Sequence, residues 1–332
     1  MKNKQQNRGI YRTLVGILVL GFAAALVLAV FSIVQLQQYK EDSAAVKRDY
    51  EQQIAELKEL QTNLESQIEE KAEEIAAYQA EQDAKAAKEA SRLAEEQAQA
   101  ALEAKHMSMD EFRQLSAGEI ISGERIKTDE LSRYFVINEI AEGDAVYNRI
   151  NGKSYRANNN IGLSDLRYLQ MIHYNFDHEI QTGEMIVNAA VAEDVVNIFR
   201  ELFMIGYEVN SMYLIDNFWT GDGDSSDTAS IQVNNTSAFC YRTVTGGSTL
   251  SNHAYGRAID INPQQNPYIT IDSSGNASWH HDNATPYVDR SCGDPHVIVN
   301  GDACYEIFAK YGFSWGGNWA NPIDYQHFEK PN

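Results

Sequence analysis

Residues 251–263 read SNHAYGRAIDINP, and the reading of this stretch decides how the end of the chain must fold. Ala258-Ile259-Asp260-Ile261-Asn262 alternates apolar and polar residues like a half-buried strand, so Ile259 and Ile261 face a core and Asp260 faces away. Gly256 permits a tight turn between His253 and that strand. A turn that folds His253 back over Asp260 brings an imidazole and a carboxylate within reach of one ion. Alone the pair is a weak signal, because a turn-capping histidine and a strand-end aspartate are ordinary surface features. A second polar cluster, WGGNWANPIDYQHFE at residues 315–329, adds His327 with Asp324 three residues before it.

Two histidines and one carboxylate leave a coordination position open, the arrangement of a catalytic rather than a structural zinc. Zinc acidifies water near neutral pH. A further carboxylate must then carry protons without binding the ion, and Asp324 is the candidate. Nitrogen and oxygen donors also admit other divalent ions, so one zinc per chain is the expectation rather than a necessity.

The two clusters resemble the zinc D-alanyl-D-alanine carboxypeptidase family, which includes the vancomycin-resistance carboxypeptidases and dipeptidases and the phage L-alanyl-D-glutamate endolysins. The family signature Ser-x-His-x-x-Gly-x-Ala-x-Asp stands here as SNHAYGRAID, and its later Asp/Glu-x-x-His as DYQH. The upstream run VNNTSAFCYRTVTGGSTL and the later YGFSWGGNWANP are similar to the carboxypeptidase branch. The resemblance implies a hedgehog/DD-peptidase-like domain with His253, Asp260 and His327 as metal ligands and Asp324 as catalytic base. It implies that Arg242 polarises the scissile carbonyl and binds substrate, and that Ser251 contacts substrate. Two positions depart from the pattern. The base is Asp, as in the endolysin-like members, where the vancomycin-resistance enzymes carry Glu, and Cys240 stands where asparagine is expected.

The rest of the 332-residue chain is organised in blocks. Residues 1–12 are basic, with Lys2, Lys4, Arg8 and Arg12, and read as a cytoplasmic tail. Residues 13–36 carry the uncharged run TLVGILVLGFAAALVLAVFSIV, long enough to span a bilayer, and read as an uncleaved signal anchor. This implies a single-pass protein of a bacterial cell membrane with everything after the span outside. Residues 37–106, rich in Ala, Glu, Gln and Lys, read as a helical stalk. Tyr50, Ile54, Leu57, Leu64, Ile68 and Ile75 suit a coiled-coil seam, and hence a homodimer, whereas the alanine-rich second half suits a solvated spacer. Residues 107–132 read as a linker and 133–332 as the catalytic domain.

Within that domain the patterns predict helices over 164–176, 187–204 and 302–311, and strands in YEVNSMYLID, SAFCYRTV, RAIDIN and YQHFE. The fold class is therefore α+β, with a mostly antiparallel sheet flanked by helices. The net charge of −20 argues against nucleic-acid binding. Of the three cysteines, Cys292 and Cys304 are close enough in sequence to pair, and three free thiols is the alternative. His280 and His281 read as solvated loop residues, His173, His178 and His296 as structural ones, and Trp315 and Trp319 as core, with a place for either ring in the lining of the cleft as the alternative. The expected activity is removal of terminal D-alanine from peptidoglycan stem peptides. The alternatives are an L-alanyl-D-glutamate endopeptidase and a non-catalytic module that binds wall peptides or a partner while the coiled coil acts as scaffold.

Overall fold

The computed structural model describes residues 2–38 and 44–331. Met1 of the expected tail, residues 39–43 of the expected stalk and Asn332 lie outside the described residues, as do the basic side chains at positions 2, 4, 8 and 12. The chain divides into two compact units, Met1–Ala100 and Ala101–Asn332.

The first unit is helical. Helix α1 spans Lys2–Gln38, and within it Leu14–Val34, with a mean hydropathy of 2.9, is long and apolar enough to cross a membrane as an anchor or a signal sequence. Helix α2, Ala44–Glu103, has 60 residues and no proline or glycine to break it, which at ~1.5 Å per residue makes it roughly 90 Å long. Its surface follows the sequence pattern. Ile54 is buried and Leu57, Leu64, Ile68 and Ile75 are partly covered, whereas residues 91–100 are exposed on every side.

The second unit is built on a four-stranded antiparallel sheet of β1 (Ile120–Ile121), β2 (Phe135–Glu139), β3 (Leu166–Tyr174) and β4 (Ile180–Asn188), in the order β1-β4-β3-β2. The short helix α3 (Met109–Phe112) precedes it in sequence and α4 (Ala145–Ile150) lies between β2 and β3. Helix α5, Ala192–Met204, lays Val195, Ile198, Phe199 and Leu202 against β2 and β3, the i, i+3, i+4, i+7 stripe of an amphipathic helix. Two elements differ from expectation. Residues 164–176 form no α-helix: Leu166–Tyr174 are β3 and Leu163–Asp165 a 3₁₀ turn. Leu166, Leu169 and Ile172 imitate a helical spacing, but Leu169 through His173 are all buried because both faces of this strand are covered, which erases alternation. Val187 and Asn188 end β4 instead of opening α5.

The expected linker also differs. Met107, Phe112, Ile121 and Ile126 are buried in the main core with Tyr134, whose hydroxyl donates to the Met107 carbonyl at 3.1 Å. Gln170 on β3 donates to the carbonyls of Phe112 and Leu115 at 3.0 and 2.9 Å, so residues 107–115 close the sheet face that α5 leaves open. The compact unit therefore starts before the linker.

Three smaller pieces carry the rest. Strands β5 (Ser211–Met212) and β6 (Asn235–Thr236) form a short parallel pair. Strands β7 (Ala258–Asp260), β10 (Ser314–Trp315) and β12 (His327–Glu329) make an antiparallel sheet in the order β10-β12-β7. Strands β8 (Tyr268–Ile271), β9 (Ala277–Trp279) and β11 (Ile323–Asp324) make another in the order β11-β8-β9. Helix α6 is Gly223–Gln232, and helix α7 is Ala303–Lys310, within the expected 302–311, with Asp302 as its N-cap. The run SAFCYRTV forms no ladder; besides the isolated bridges Ser237 to Asp260 and Thr243 to Leu250, its Phe239, Cys240 and Tyr241 N–H groups donate to the carbonyls of Ile186, His253 and Ser154. Mixed helix and antiparallel sheet is the resulting class.

Candidate metal centre and cleft

Strand register delivers two of the three expected ligands. On β12 and β7, His327 lies directly opposite Asp260 and Phe328 opposite Ile259. The apolar pair is buried in the core, so the pleat turns His327 and Asp260 to the other face together. The third ligand comes from a single 3₁₀ turn, Asn252–Tyr255, whose cap Ser251 accepts the His253 N–H at 3.2 Å. Gly256 ends the turn at φ +65°, and an added Cβ would sit 2.6 Å from the Asn188 nitrogen of β4. No other residue combines that backbone with that approach. The turn is thus wedged against the main sheet, and the imidazole swings back over β7.

The resulting geometry suits an ion. His253 Nε2 lies 3.2 Å from His327 Nδ1 and 3.3 Å from Asp260 Oδ2, and His327 Nδ1 lies 3.1 Å from Asp260 Oδ1. The three side chains offer donor atoms all within 4.8 Å of one another. A tetrahedral zinc with bonds of about 2.0–2.1 Å keeps its ligand atoms about 3.3–3.4 Å apart, close to these edges. The remaining nitrogens are committed elsewhere. His253 Nδ1 pairs with the Ala238 carbonyl at 2.6 Å and His327 Nε2 with Glu329 Oε2 at 3.1 Å. With protons on those outer nitrogens, both inner lone pairs face the same point as the carboxylate. Gln326 donates to Asp260 Oδ2 at 3.1 Å, and Asn252 donates to Glu329 at 2.6 Å. Such outer partners fix ring orientation and tautomer in metal sites. The donor set therefore fits a divalent cation.

The electrostatics agree. Burial alone would raise the Asp260 carboxyl, but the His253 and His327 imidazoles outweigh it and hold it well below the usual range. Burial would lower His327, yet Asp260 and Glu329 push it up to about 10. The pocket favours a positive charge at this point.

Asp324 ends β11, opposite Tyr268 of β8, and is 7 % exposed. Its Oδ1 is buried without a hydrogen-bond partner. Burial raises its carboxyl above the usual range, with Asp260 and Asp227 adding to the rise and His327 and Arg242 opposing it. Gly316 explains the WGGN run: an added Cβ there would meet the Asp324 carbonyl oxygen at 2.6 Å. Arg242 is held by Asp227, Nη2 to Oδ2 at 2.7 Å, and donates through Nη1 to the Thr243 carbonyl at 3.2 Å. Cys240 is buried, and burial pushes its thiol up to about 12.

These residues share one cleft of about 570 Å³, lined by His253, Asp260, His327, Asp324, Arg242 and Ser251 among others. Every residue singled out for the site is therefore brought together. The other tryptophans, histidines and cysteines divide between core, cleft and loop. Trp315 is core, but Trp319 is 37 % exposed, lines the cleft, and places its ring 5.2 Å from that of His327. His280 and His281 also line the cleft, and His281 Nδ1 pairs with Gln232 at 2.8 Å. Cys240, Cys292 and Cys304 stand as free thiols. Two functional neighbours escaped the sequence. Glu329 was within reach of period-two reasoning, being on the same strand face as His327, whereas Asp227 on α6 carries no motif at all.

Residues 245–330 match a protein-family model described as D-alanyl-D-alanine carboxypeptidase. The match covers both motifs and supports the family they suggest; it begins after Arg242 and leaves the four-stranded sheet outside. No curated protein and no solved structure matches the chain significantly.

Proposed function

We propose that this chain is a membrane-anchored metallopeptidase that removes the terminal D-alanine from peptidoglycan stem peptides. The observation that carries the reading is the meeting of His253, Asp260 and His327 around one point, beside a buried carboxyl with an unpartnered oxygen. Zinc is the cation the donor set suits best. When bound, it supplies Lewis acidity that polarises a carbonyl and acidifies water. The chain's own residues supply the rest. Arg242 donates N–H groups to the carbonyl oxygen as charge develops there. Asp324 takes the proton of the attacking water and returns it to the leaving amine. Ser251 and Trp319 border the space left for the substrate.

Leu14–Val34 acts as the anchor, with the basic N-terminus in the cytoplasm and the peptidase outside. The seam of α2 pairs two copies. A second reading, L-alanyl-D-glutamate endopeptidase, is favoured by one observation: the base is Asp324 rather than a glutamate.

The full chain in detergent micelles, supplied with zinc, should release D-alanine from pentapeptide muropeptides and stop when a chelator is added. Release of a larger stem fragment would establish the endopeptidase instead. Intact muropeptides beside a chain holding one zinc would contradict both.

A further inference from the structure

We propose that Asp227 is a positioning residue: it holds the Arg242 guanidinium in one orientation at the cleft and thereby sets the rate of peptide cleavage. The inference rests on the proposed function and adds to it a residue that no motif marks.

Helix α6 carries the argument. An ordinary surface helix buries an apolar stripe, but α6, GDSSDTASIQ, buries Gly223, Ser226, Asp227 and Ser230. Its bonds are polar. Asp222 caps it by accepting the Ser225 N–H at 2.9 Å and Ser226 accepts the Thr220 N–H at 3.0 Å, both local to the start of the helix, whereas Asn235 of β6 donates to Ser230 at 2.9 Å. The bond to β6 restrains the rotation of the helix about its axis. What that rotation delivers is the Asp227 carboxylate to Arg242, at 2.7 Å, with side chains only 8 % and 9 % exposed. Gly223, at the start of the same helix, allows the approach: a Cβ there would lie 3.0 Å from Arg242 Cβ.

The bonding of Arg242 shows what is fixed. A guanidinium has five N–H donors. Asp227 and the Thr243 carbonyl engage its two terminal nitrogens, and Nε is buried without a partner. The plane of the group is pinned from one side while donors stay unspent. A buried ion pair adds little net charge, so Arg242 acts on a developing oxyanion through oriented N–H groups rather than as a free cation. The value of such donors depends on their direction, which is what Asp227 controls. Asp227 also lines the cleft, yet its carboxylate is occupied by Arg242.

The test is a double-mutant cycle on the full zinc-loaded chain. Asp227→Asn should lower kcat by about 10–100-fold, leave KM within about 2-fold and keep one zinc per chain. In an Arg242→Met background the same substitution should cost less than about 2-fold, because its effect passes through the arginine. It should also raise the Tm of that background by removing an unpaired buried carboxylate. A multiplicative loss in the double variant, or an unchanged kcat in the single one, overturns the proposal. If the single variant does not fold, the comparison of the double variant with Arg242→Met decides alone: equal rates support the proposal and a further loss ends it. A second readout is independent of turnover. A phosphinate dipeptide that mimics the tetrahedral intermediate should bind Asp227→Asn at least about 10-fold more weakly than the parent chain, while the product peptide binds both alike. Equal weakening of both ligands would make Asp227 merely structural. A parent chain without turnover refutes the functional reading itself, whereas turnover untouched by Asp227→Asn refutes only this inference.

Discussion

Among the described residues, two clusters bring two histidines together with carboxylates, and of the two only the first is arranged to hold a metal ion. In the first, His253 and His327 send their outer nitrogens to Ala238 and Glu329, and their inner nitrogens lie 3.2 Å apart beside Asp260. In the second, Glu208 stands between the rings and takes both, His178 Nδ1 at 2.8 Å and His296 Nε2 at 2.9 Å. Asp294 holds the other nitrogen of His296 at 3.0 Å, and Tyr174 and Phe176 stack on the two imidazoles. Residue types are the same in both clusters. A carboxylate reaches both rings in each cluster, Asp260 in the first and Glu208 in the second. What differs is the outer hold: Ala238 and Glu329 turn His253 and His327 so that two ring nitrogens and Asp260 converge within 4.8 Å, whereas His296 is held by carboxylates at both nitrogens. Convergence of donors, not the count of histidines, makes the site.

The contrast can be broken in several places. The largest effect is expected at Asp324, which borders the first cluster without joining it. Asp324→Asn should cut kcat by about 10³-fold or more while one zinc per chain remains, as read by steady-state turnover and metal analysis. Loss of the metal would make Asp324 a ligand instead. Next comes Glu329→Gln, which keeps the side-chain shape but loses the charge behind His327. A fall in zinc affinity of about 10–100-fold is expected in competition with a chromophoric chelator, with a smaller change in kcat.

A third histidine sharpens the comparison from the side of stability. His173 is buried with no carboxylate beside it, and burial lowers it to about 4. Its folded value lies below the unfolded one of about 6.5, so the unfolded chain binds the extra proton first. This contribution to stability is complete above about pH 6.5 and is lost as pH falls toward 4, by about 3 kcal/mol in all. Urea unfolding of the parent chain and His173→Leu at pH 7 and pH 4.5 should show the parent losing more. Equal losses would remove His173 from the account. The smallest effect is expected in the second cluster: His178→Ala with His296→Ala should leave zinc stoichiometry unchanged and turnover within about 2-fold, and a lost ion would overturn the contrast.

Much of this site was legible in the sequence because its information is local. Gly256 and the Ile259–Ile261 alternation state a turn and a strand face, and DYQH states the opposing strand. The main sheet was less legible. β3 is covered on both faces, by α5 and by residues 107–115, so its Leu166, Leu169 and Ile172 could be taken for a helix stripe. The same closure hid Met107 and Phe112, which lie in what composition presents as a linker. Asp227 was invisible for another reason: its partner Arg242 is in a different element, and α6 offers no apolar period to announce a buried face.

Two imidazoles and one carboxylate, and no sulfur, are expected to hold a single ion. X-ray absorption on the full chain loaded with one zinc decides it: only nitrogen and oxygen donors at about 2.0–2.1 Å should appear, two of them imidazole, and the signal should be lost in His253→Ala. A zinc–sulfur distance near 2.3 Å, which would bring in Cys240, Cys292 or Cys304, or a zinc shell unchanged in His253→Ala, would contradict it.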